Sequence, residues 1–227
     1  AIADEILVAD SGSTDGTLEY ARGRPDCRVV EREYVHSGDF KNWAIPQASN
    51  EWVFIIDADE RVNAELEAEI LATVASTQLD GFWVRRANHF MGRRIQYSGW
   101  NSDRVLRLFR RDSGRYVGET DHAEVEINSG AVGTLNHRLT HFTYTNYSQF
   151  LRKLDRYSDV QSTRWRDAEK RPSLAKLVLN GPFRFTLTYV VRGGFLDGWA
   201  GFQLCVLTGF GSFMKQARLW EKWQREP

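Results

Sequence analysis

Cysteine is scarce in this sequence, and its two cysteines, Cys27 and Cys205, lie far apart in unrelated contexts. Two thiols placed in this way supply neither a disulfide framework nor the paired spacing of a zinc site. We therefore expect two buried, unpaired thiols. No secretory signal is visible at the start of the sequence, which indicates the cytosolic side.

Net charge is also absent, because 30 Lys and Arg residues balance 30 Asp and Glu residues. A neutral chain has no bulk positive field, so nucleic acid is not an expected partner. The charge is unevenly distributed, however. From Arg171 onward, eight basic residues stand against three acidic ones, which gives this tail a net charge of +5.

The sequence also lacks an apolar run that is long enough for a typical membrane span. Its longest uncharged stretch in the tail, Gly198 to Met214, has 17 residues and contains four glycines, whereas a spanning helix needs about 20 mostly apolar residues. The tail from Leu177 mixes Phe, Trp and Leu with Lys and Arg, which is typical of helices that lie in the interface of an anionic membrane. The alternative is a helical hairpin packed on the rest of the protein.

Strands and helices alternate along the first half of the chain, a pattern that predicts an α/β fold with a mostly parallel sheet flanked by helices. After Gly92, shorter alternating segments predict antiparallel strands, and a long helix follows from Asn146 to about Lys170. We expect a domain over 1–145 and a helical extension over 146–227. The strands are predicted near 4–10, 28–34, 52–57 and 81–87, and the helices near 15–22, 40–48 and 63–76.

The most informative segment is an apolar run, Trp52 to Ile56, that ends in Asp57-Ala58-Asp59. A run of this kind suits a strand that is buried on both faces, and ligands of open α/β sheets bind at the carboxyl ends of strands. Carboxylates there can hold Mg²⁺ or Mn²⁺, which usually bridges to the phosphates of a substrate. The alternative is a surface turn with two solvated acids.

A second acidic turn strengthens the ligand interpretation. The predicted strand from Glu5 to Asp10 runs into a turn in which Asp15 or Thr14 can cap the next helix. An ordinary strand–turn–helix corner would explain the capping alone. It would not explain why two strands of one α/β unit both end in Asp, an arrangement that suits a nucleotide diphosphate with its metal ion.

These segments resemble, in order and spacing, the inverting glycosyltransferases of family 2, and in particular the bacterial β-glucosyltransferases of the lipopolysaccharide core. The resemblance implies the nucleotide-sugar-binding GT-A fold. The family usually opens with a strand and helix ahead of the strand at Glu5, so we expect this sequence to be truncated at its N-terminus. The matching segments are Val8 to Thr17, Asp39 to Ala44, Ile56 to Glu60, Asp103 to Arg110, Gly194 to Gly201 and Ala217 to Glu221.

The resemblance implies a role for each site residue. Asp10 would accept hydrogen bonds from the nucleotide base, with Ser13 and Asp15 in the same turn. Lys41 and Asn42 would line the other edge of the pocket, Asp57 would face the ribose, and Asp59 would bind Mg²⁺ or Mn²⁺. A solvated surface lysine is the alternative for Lys41.

The general base is expected in the segment from Gly118 to Glu124, where subgroup members usually carry a His-Glu pair and this chain has His122-Ala123. Asp121 is the first candidate, Glu124 the second and Glu119 the third.

His141 matches a recurrent family histidine and could complete the metal shell; a hydrogen-bonded core histidine is the alternative. Tyr97, Trp100 and Arg104, with Arg93 and Arg94, form a candidate acceptor platform, unless they are only loop packing.

The resemblance thus implies a metal-dependent hexosyltransferase that moves glucose from UDP-glucose to a heptose of the lipopolysaccharide core, or to another cell-envelope glycan. It would work peripherally on the cytoplasmic face of the bacterial inner membrane, with a lipid-linked acceptor and anionic lipid as partners. A haloacid-dehalogenase-like phosphatase also uses an Asp-x-Asp motif, but it leaves Asp10 and Asp15 unexplained. A non-catalytic module that binds a membrane or another protein is the second alternative.

Overall fold

The structure is a computed structural model that describes residues 2–118 and 123–224. The chain divides into two compact units. The first comprises the residues up to Arg86 together with Arg104–Leu139, and the second comprises Ala87–Asp103 together with the residues from Thr140 onward. The division after Leu139 lies six residues before the predicted boundary at 145, and the sequence did not predict that Ala87–Asp103 joins the second unit.

Short strands and helices alternate in the order that the sequence predicts, although most are shorter than expected. The strand before Asp57 ends at Phe54, and Pro46 stands at the start of a 3-10 helix that follows α2. The elements are β1 (Ile6–Asp10), α1 (Thr17–Arg22), β2 (Cys27–Glu31), α2 (Ser37–Ala44), the 3-10 helix Ile45–Gln47, β3 (Trp52–Phe54), β4 (Glu60–Arg61), α3 (Ala64–Ser76), β5 (Gly81–Phe90), β6 (Arg93–Arg94), β7 (Arg104–Arg110), β8 (Gly114–Val117), β9 (Glu124–Ile127) and β10 (Val132–Tyr144).

The strand pairing is mixed and not mostly parallel. β1 and β2 pair in parallel, as predicted, whereas β3 and β5 both pair antiparallel with β7. The larger sheet has the order β3-β7-β5-β10-β4, with β6 beside β5, and β8 and β9 form a separate antiparallel pair. The sequence did not predict that β7, which comes after β5 in the chain, lies between β3 and β5, because nothing local encodes this insertion.

The helix α3 shows how the sequence builds the core of the first unit. Asn63 caps the helix by accepting a hydrogen bond from the backbone N–H of Leu66 at 2.9 Å. Leu66 and Ile70 are buried in a cluster with Phe82, Val84, Leu108, Leu135 and Leu139. Leu71 is exposed, because a residue one position after Ile70 points about 100° away around the helix.

The second unit is mainly helical and has its own core. Phe90, Ile95 and Phe150 pack against Ala200 and Leu204. The predicted long helix is present as α4 (Tyr147–Asp167), and Asn146 caps it through the N–H of Gln149 at 2.8 Å. It is followed by α5 (Leu174–Thr186), a π-helical turn (Leu187–Val191), a 3-10 helix (Gly194–Asp197) and α6 (Gly198–Gln224).

The two tail helices, α5 and α6, pack closely where Gly181 meets Gly209. A Cβ atom at Gly209 would lie 2.9 Å from the carbonyl oxygen of Gly181, so a side chain there would force the helices apart. Among the described residues, no helix is both long and apolar enough to cross a membrane.

We predict that Asn63→Ala lowers the free energy of unfolding by about 1 kcal/mol, because the N–H of Leu66 loses its capping acceptor. Asn63→Asp keeps an acceptor oxygen and should stay close to the wild type. Urea unfolding of the three proteins measures the difference. Equal stability of Asn63→Ala and the wild type would contradict this account of the helix start.

Candidate active site

The turn after β1 is organised around the carboxylate of Asp10, which is buried. One of its oxygens accepts the backbone N–H groups of Gly12 (2.7 Å) and Ser13 (2.8 Å), and the other accepts the hydroxyl of Ser13 (2.6 Å). The bond from the Ser13 hydroxyl, with these N–H groups, lowers the pKa of Asp10. Gly12 has φ +97°, which favours glycine. Asp10 is therefore a charged group that fixes the turn.

Asp15 is also anchored within this turn, although it is exposed. Its carboxylate accepts the hydroxyl of Thr17 at 2.6 Å and the backbone N–H of Thr17 at 3.2 Å. The hydroxyl bond is the main reason why the pKa of Asp15 is lowered. The prediction that Asp15 or Thr14 is the N-cap of the helix was wrong: Gly16 occupies that position in a left-handed conformation, and Asp15 supports the first turn from one residue further out.

Asp57 follows β3 and is held by two cations. Its carboxylate accepts a hydrogen bond from Lys41 Nζ at 2.7 Å and another from the guanidinium of Arg107. Burial alone would raise the pKa of Asp57, but the positive charges of Arg107 and Lys41 outweigh burial and lower the pKa to about 2. Asp57 is therefore ionised at any neutral pH and is not a solvated turn residue.

Arg107 is the centre of this arrangement. Its side chain is 5% exposed, and it donates to Asp57, to Glu60 Oε1 (3.2 Å) and to the hydroxyl of Tyr116 (3.2 Å). Glu60 is fully buried, and its other oxygen accepts the backbone N–H of Asp57 at 2.9 Å. Arg107 and Glu60 thus fix the backbone as well as the side chain of Asp57.

Lys41 and Asn42 connect α2 to this cluster. Lys41 Nζ lies 5.3 Å from the ring centre of Tyr116, and burial, followed by the charge of Arg107, lowers the pKa of Lys41. It is therefore not the solvated surface lysine that was the alternative. The amide of Asn42 exchanges two 2.8 Å hydrogen bonds with the backbone of Tyr116, which ties α2 to β8. Contact of either residue with a nucleotide stays a prediction.

The predicted metal ligand in the turn after β3 is Asp59. Among the described residues, no group of three or more His, Cys, Asp or Glu side chains is placed to hold a metal ion. Mg²⁺ commonly binds through one or two carboxylates together with substrate phosphates. Asp57 and Glu60 are engaged with Arg107, and binding of a cation by Asp59 together with a diphosphate stays a prediction.

His141 lies in the second unit and is buried in a polar network. Its Nδ1 is 2.6 Å from Asn88 Oδ1 and 3.2 Å from the hydroxyl of Thr143, and Asn88 Nδ2 donates to Asp103 at 2.7 Å. These contacts match the alternative of a hydrogen-bonded core histidine. A role in metal binding stays a prediction.

The candidate acceptor residues are distributed over both units. Tyr97 and Trp100 belong to the second unit, where Tyr97 is exposed and Trp100 packs against the core, 6.3 Å from the ring of Tyr144. Arg104 belongs to the first unit, where its guanidinium lies 4.9 Å from the ring centre of Trp83. Trp100 and Arg104 therefore make packing contacts, and a role in acceptor binding stays a prediction.

Of the three candidate bases, the structure describes only Glu124. It is the first residue of β9, pairs with Val117 on β8 and is exposed. Glu119 and Asp121 lie outside the described residues, and so does His122. The choice among the three acids therefore stays a prediction.

Comparison with known proteins shows the family of this chain. Residues 2–137 match the family model of glycosyl transferase family 2. The chain belongs to this family. Its fold is accordingly the predicted nucleotide-sugar-binding GT-A type, with a mixed sheet, flanking helices and C-terminal helices. Family membership contradicts the phosphatase alternative and supports an enzyme over a non-catalytic module.

Individual relatives agree with the family. The lipopolysaccharide core biosynthesis glycosyltransferase LpsC of Rhizobium meliloti (strain 1021) is 30% identical, over 96% of this chain and 83% of its own. A glycosyltransferase of Rickettsia bellii (strain RML369-C) is 27% identical, over 97% of this chain and 78% of its own. The crystal structure of S. aureus TarS 1-349 in complex with UDP-GlcNAc matches with a TM-score of 0.45 and 12% identity, over 99% of this chain and 84% of that one; a match this loose supports no inference about activity.

Arg107 and Glu60 contact the predicted site residue Asp57, and the sequence assigned neither of them a role. Both belong to segments that resemble the family, and Arg107 stands in the middle of a strand, between the buried residues Leu106 and Leu108. A charged residue at such a position is costly unless it is paired. That cost is the signal that could have identified Arg107 from the sequence.

The pH dependence of stability should report the ion pair between Lys41 and Asp57. The pKa of Asp57, about 2 against a usual 3.8, means that the pair stabilises the fold above about pH 4 and that this contribution is lost as the pH falls towards 2. Lys41→Met removes one cation and raises the pKa of Asp57. We predict that this variant loses less free energy of unfolding than the wild type between about pH 5 and pH 2.

Urea unfolding at several pH values measures this difference. Lys176→Met, which removes an exposed lysine of α5, is the matched control and should follow the wild-type profile. If Lys41→Met also follows it, the positive charge of Lys41 does not govern the ionisation of Asp57.

Proposed function

We propose that this family 2 transferase is a metal-dependent, inverting hexosyltransferase that moves glucose from UDP-glucose to an acceptor of the lipopolysaccharide core or a related cell-envelope glycan. The observation that carries the proposal is the pair of acidic turns after β1 and β3, together with the cationic cluster of Lys41 and Arg107. The similarity to a relative named for lipopolysaccharide core biosynthesis supports the acceptor class.

Asp10 would recognise the nucleotide base. A carboxylate offers about four acceptor positions, and three are used within its own turn, which leaves one for a base N–H. Ser13 and Asp15 would line the same turn. Asp57 is held in place by Lys41 and Arg107, so its position does not depend on a bound ribose.

Lys41 and Asp59 would both contribute to binding of the diphosphate, Lys41 directly and Asp59 through a cation. Lys41 is an ammonium group at a partly desolvated position, which strengthens its attraction for a phosphate. Asp59 would hold Mg²⁺ or Mn²⁺, and the bound cation would neutralise charge on the departing diphosphate as a Lewis acid. Asn42, locked to Tyr116, keeps α2 in register so that Lys41 points to the cluster.

Inversion requires one displacement at the anomeric carbon. The acceptor oxygen attacks opposite the departing diphosphate, and a carboxylate takes the proton of the acceptor hydroxyl. We assign that carboxylate to Asp121 first, then to Glu124 and Glu119, because all three lie in the segment that continues from β8, the strand that Asn42 anchors. Tyr97, Trp100 and Arg104 would contact the acceptor sugar, and His141 would contact the diphosphate or its cation.

The acceptor class also suggests where the enzyme acts. A core glycan is attached to a lipid, so the transferase would work peripherally at the cytoplasmic face of the inner membrane. The basic, aromatic composition of the tail supports this location.

Metal and donor binding should be coupled through Asp59. We predict that Mn²⁺-dependent UDP affinity falls at least tenfold in Asp59→Asn and that EDTA has a similar effect on the wild type, because the cation bridges Asp59 and the diphosphate. Isothermal titration calorimetry measures both. Asp112→Asn, an exposed acid paired with Arg111, is the matched control. Unchanged metal-dependent affinity in Asp59→Asn would remove the metal assignment.

The general base should affect turnover and not donor binding. We predict that Asp121→Asn keeps UDP affinity and lowers kcat by about 10² to 10⁴, the usual worth of a positioned base. Glu124→Gln and Glu119→Gln are the comparisons, measured as glucose transfer to a core acceptor. A large loss in Glu124→Gln alone would reverse the ordering, and equal turnover in all three variants would show that the base lies elsewhere.

A further inference from the structure

The turn between α5 and α6 carries a concentration of exposed apolar side chains. Val191 and Trp199 are 72% and 71% exposed, and the other three are at least half exposed. Side chains of this size gain substantially when they leave water, and folded monomers rarely expose a contiguous apolar patch without a partner. We call this group the apolar tip: Val190, Val191, Phe195, Leu196 and Trp199.

The exposure of the apolar tip is fixed by the backbone beneath it. The carboxylate of Asp197 accepts the backbone N–H groups of Gln96 (3.0 Å) and Tyr97 (2.9 Å). Gly194 is buried so tightly that a Cβ atom there would lie 2.6 Å from Ser98 Oγ and 2.7 Å from Cys205 Sγ. The turn is therefore held against the loop of residues 96–98, within the second unit, while its apolar side chains face solvent.

The exposed apolar surface continues from the apolar tip along both helices. On α5, Val178 and Phe183 are more than half exposed, and on α6, Phe210 and Phe213 are also exposed. The close approach of Gly181 and Gly209 brings the two helices together. The result is a helical hairpin that leaves apolar side chains uncovered on both of its helices and at its turn.

The charges on this hairpin select the kind of partner. Arg184, Arg192 and Lys215 have no ion pair with any described residue, and the only acid between Arg171 and Lys215 is Asp197, which is bound to backbone N–H groups. Burial and the nearby charge of Arg184 lower the pKa of Lys215. By contrast, Arg218 and Lys222, further along α6, are neutralised by Asp155 and Asp159 of α4.

We infer that the α5–α6 hairpin inserts its apolar tip into the interface of an anionic membrane, with Arg184, Arg192 and Lys215 binding lipid phosphates. Apolar side chains beside cations without acidic partners match the boundary between acyl chains and anionic headgroups. A second protein would also cover apolar side chains, but it would need acids opposite each of these cations.

Membrane insertion would serve the proposed function, and this part of the inference rests on that proposed function. Tyr97 is fastened to the apolar tip through Asp197, so insertion would hold the loop of Gln96 and Tyr97 at the membrane surface. A lipid-linked acceptor presents its sugars in that layer. The hairpin would therefore place a candidate acceptor-binding loop at the depth of its substrate.

The chain offers a closely matched pair of variants for a test. Val191→Ser/Leu196→Ser removes one Val and one Leu from the apolar tip, and Val160→Ser/Leu151→Ser removes the same residue types from exposed positions of α4. Flotation of the full protein with vesicles of phosphatidylcholine, with and without phosphatidylglycerol, measures binding. UDP affinity in vesicle-free solution tests the donor site separately.

We expect the wild type and the α4 variant to bind vesicles that contain phosphatidylglycerol, with little binding to phosphatidylcholine alone. The apolar-tip variant should bind at least tenfold more weakly, because two inserted side chains are lost. High salt should weaken wild-type binding only in part, because apolar burial is not screened. All three proteins should have the same UDP affinity.

Equal vesicle binding by the two double variants, or no wild-type binding at low salt, would overturn the inference. So would a wild-type dimer that ignores vesicles and becomes monomeric in the apolar-tip variant, since a second copy would then cover this surface. Normal vesicle binding without metal-dependent UDP binding would count against the proposed donor and leave the membrane result standing.

Discussion

Arg107 carries a positive charge into the interior of the first unit, and two carboxylates and a hydroxyl group surround its terminal nitrogens. Moving an ion out of water costs several kcal/mol unless partners of opposite charge and good geometry replace the lost hydration. Asp57 and Glu60 supply the charge, and the hydroxyl of Tyr116 supplies a further acceptor. The planar fork of an arginine presents five N–H donors, which lets one side chain reach three such partners at once.

The position of each neighbouring element follows from this buried cation. Glu60 accepts a hydrogen bond from the backbone N–H of Asp57, and this bond holds the Asp-x-Asp turn in one conformation. Asp57 in turn holds Lys41 on α2, and Asn42 joins α2 to β8. The segments of α2, the turn after β3, and the neighbouring strands β7 and β8 thus meet around one guanidinium, and this cluster is shaped without a ligand.

Much of this architecture could be predicted from the sequence because it is encoded locally. The alternation of apolar runs with polar turns located most elements, and Asn63 and Asn146 cap helices that begin close to their predicted starts. The acidic turns at Asp10 and Asp57 were recognisable from the sequence for the same reason, whereas ligand binding there stays a prediction. The limits were also physical: the insertion of β7 between β3 and β5 depends on contacts between distant segments, and the roles of Glu60 and Arg107 appear only when those segments meet.

Asp197 grips the loop of Gln96 and Tyr97 through main-chain N–H groups and not through side chains. Every residue except proline offers the same N–H group, so these hydrogen bonds do not depend on which side chains occupy the two positions. Selection can therefore change the side chains at 96 and 97 without moving the loop, and in the proposed acceptor-binding role of this loop such changes would alter its preference for one sugar over another. A fixed frame with freely exchangeable side chains is a simple route by which relatives of one fold can diverge in the glycans that they build.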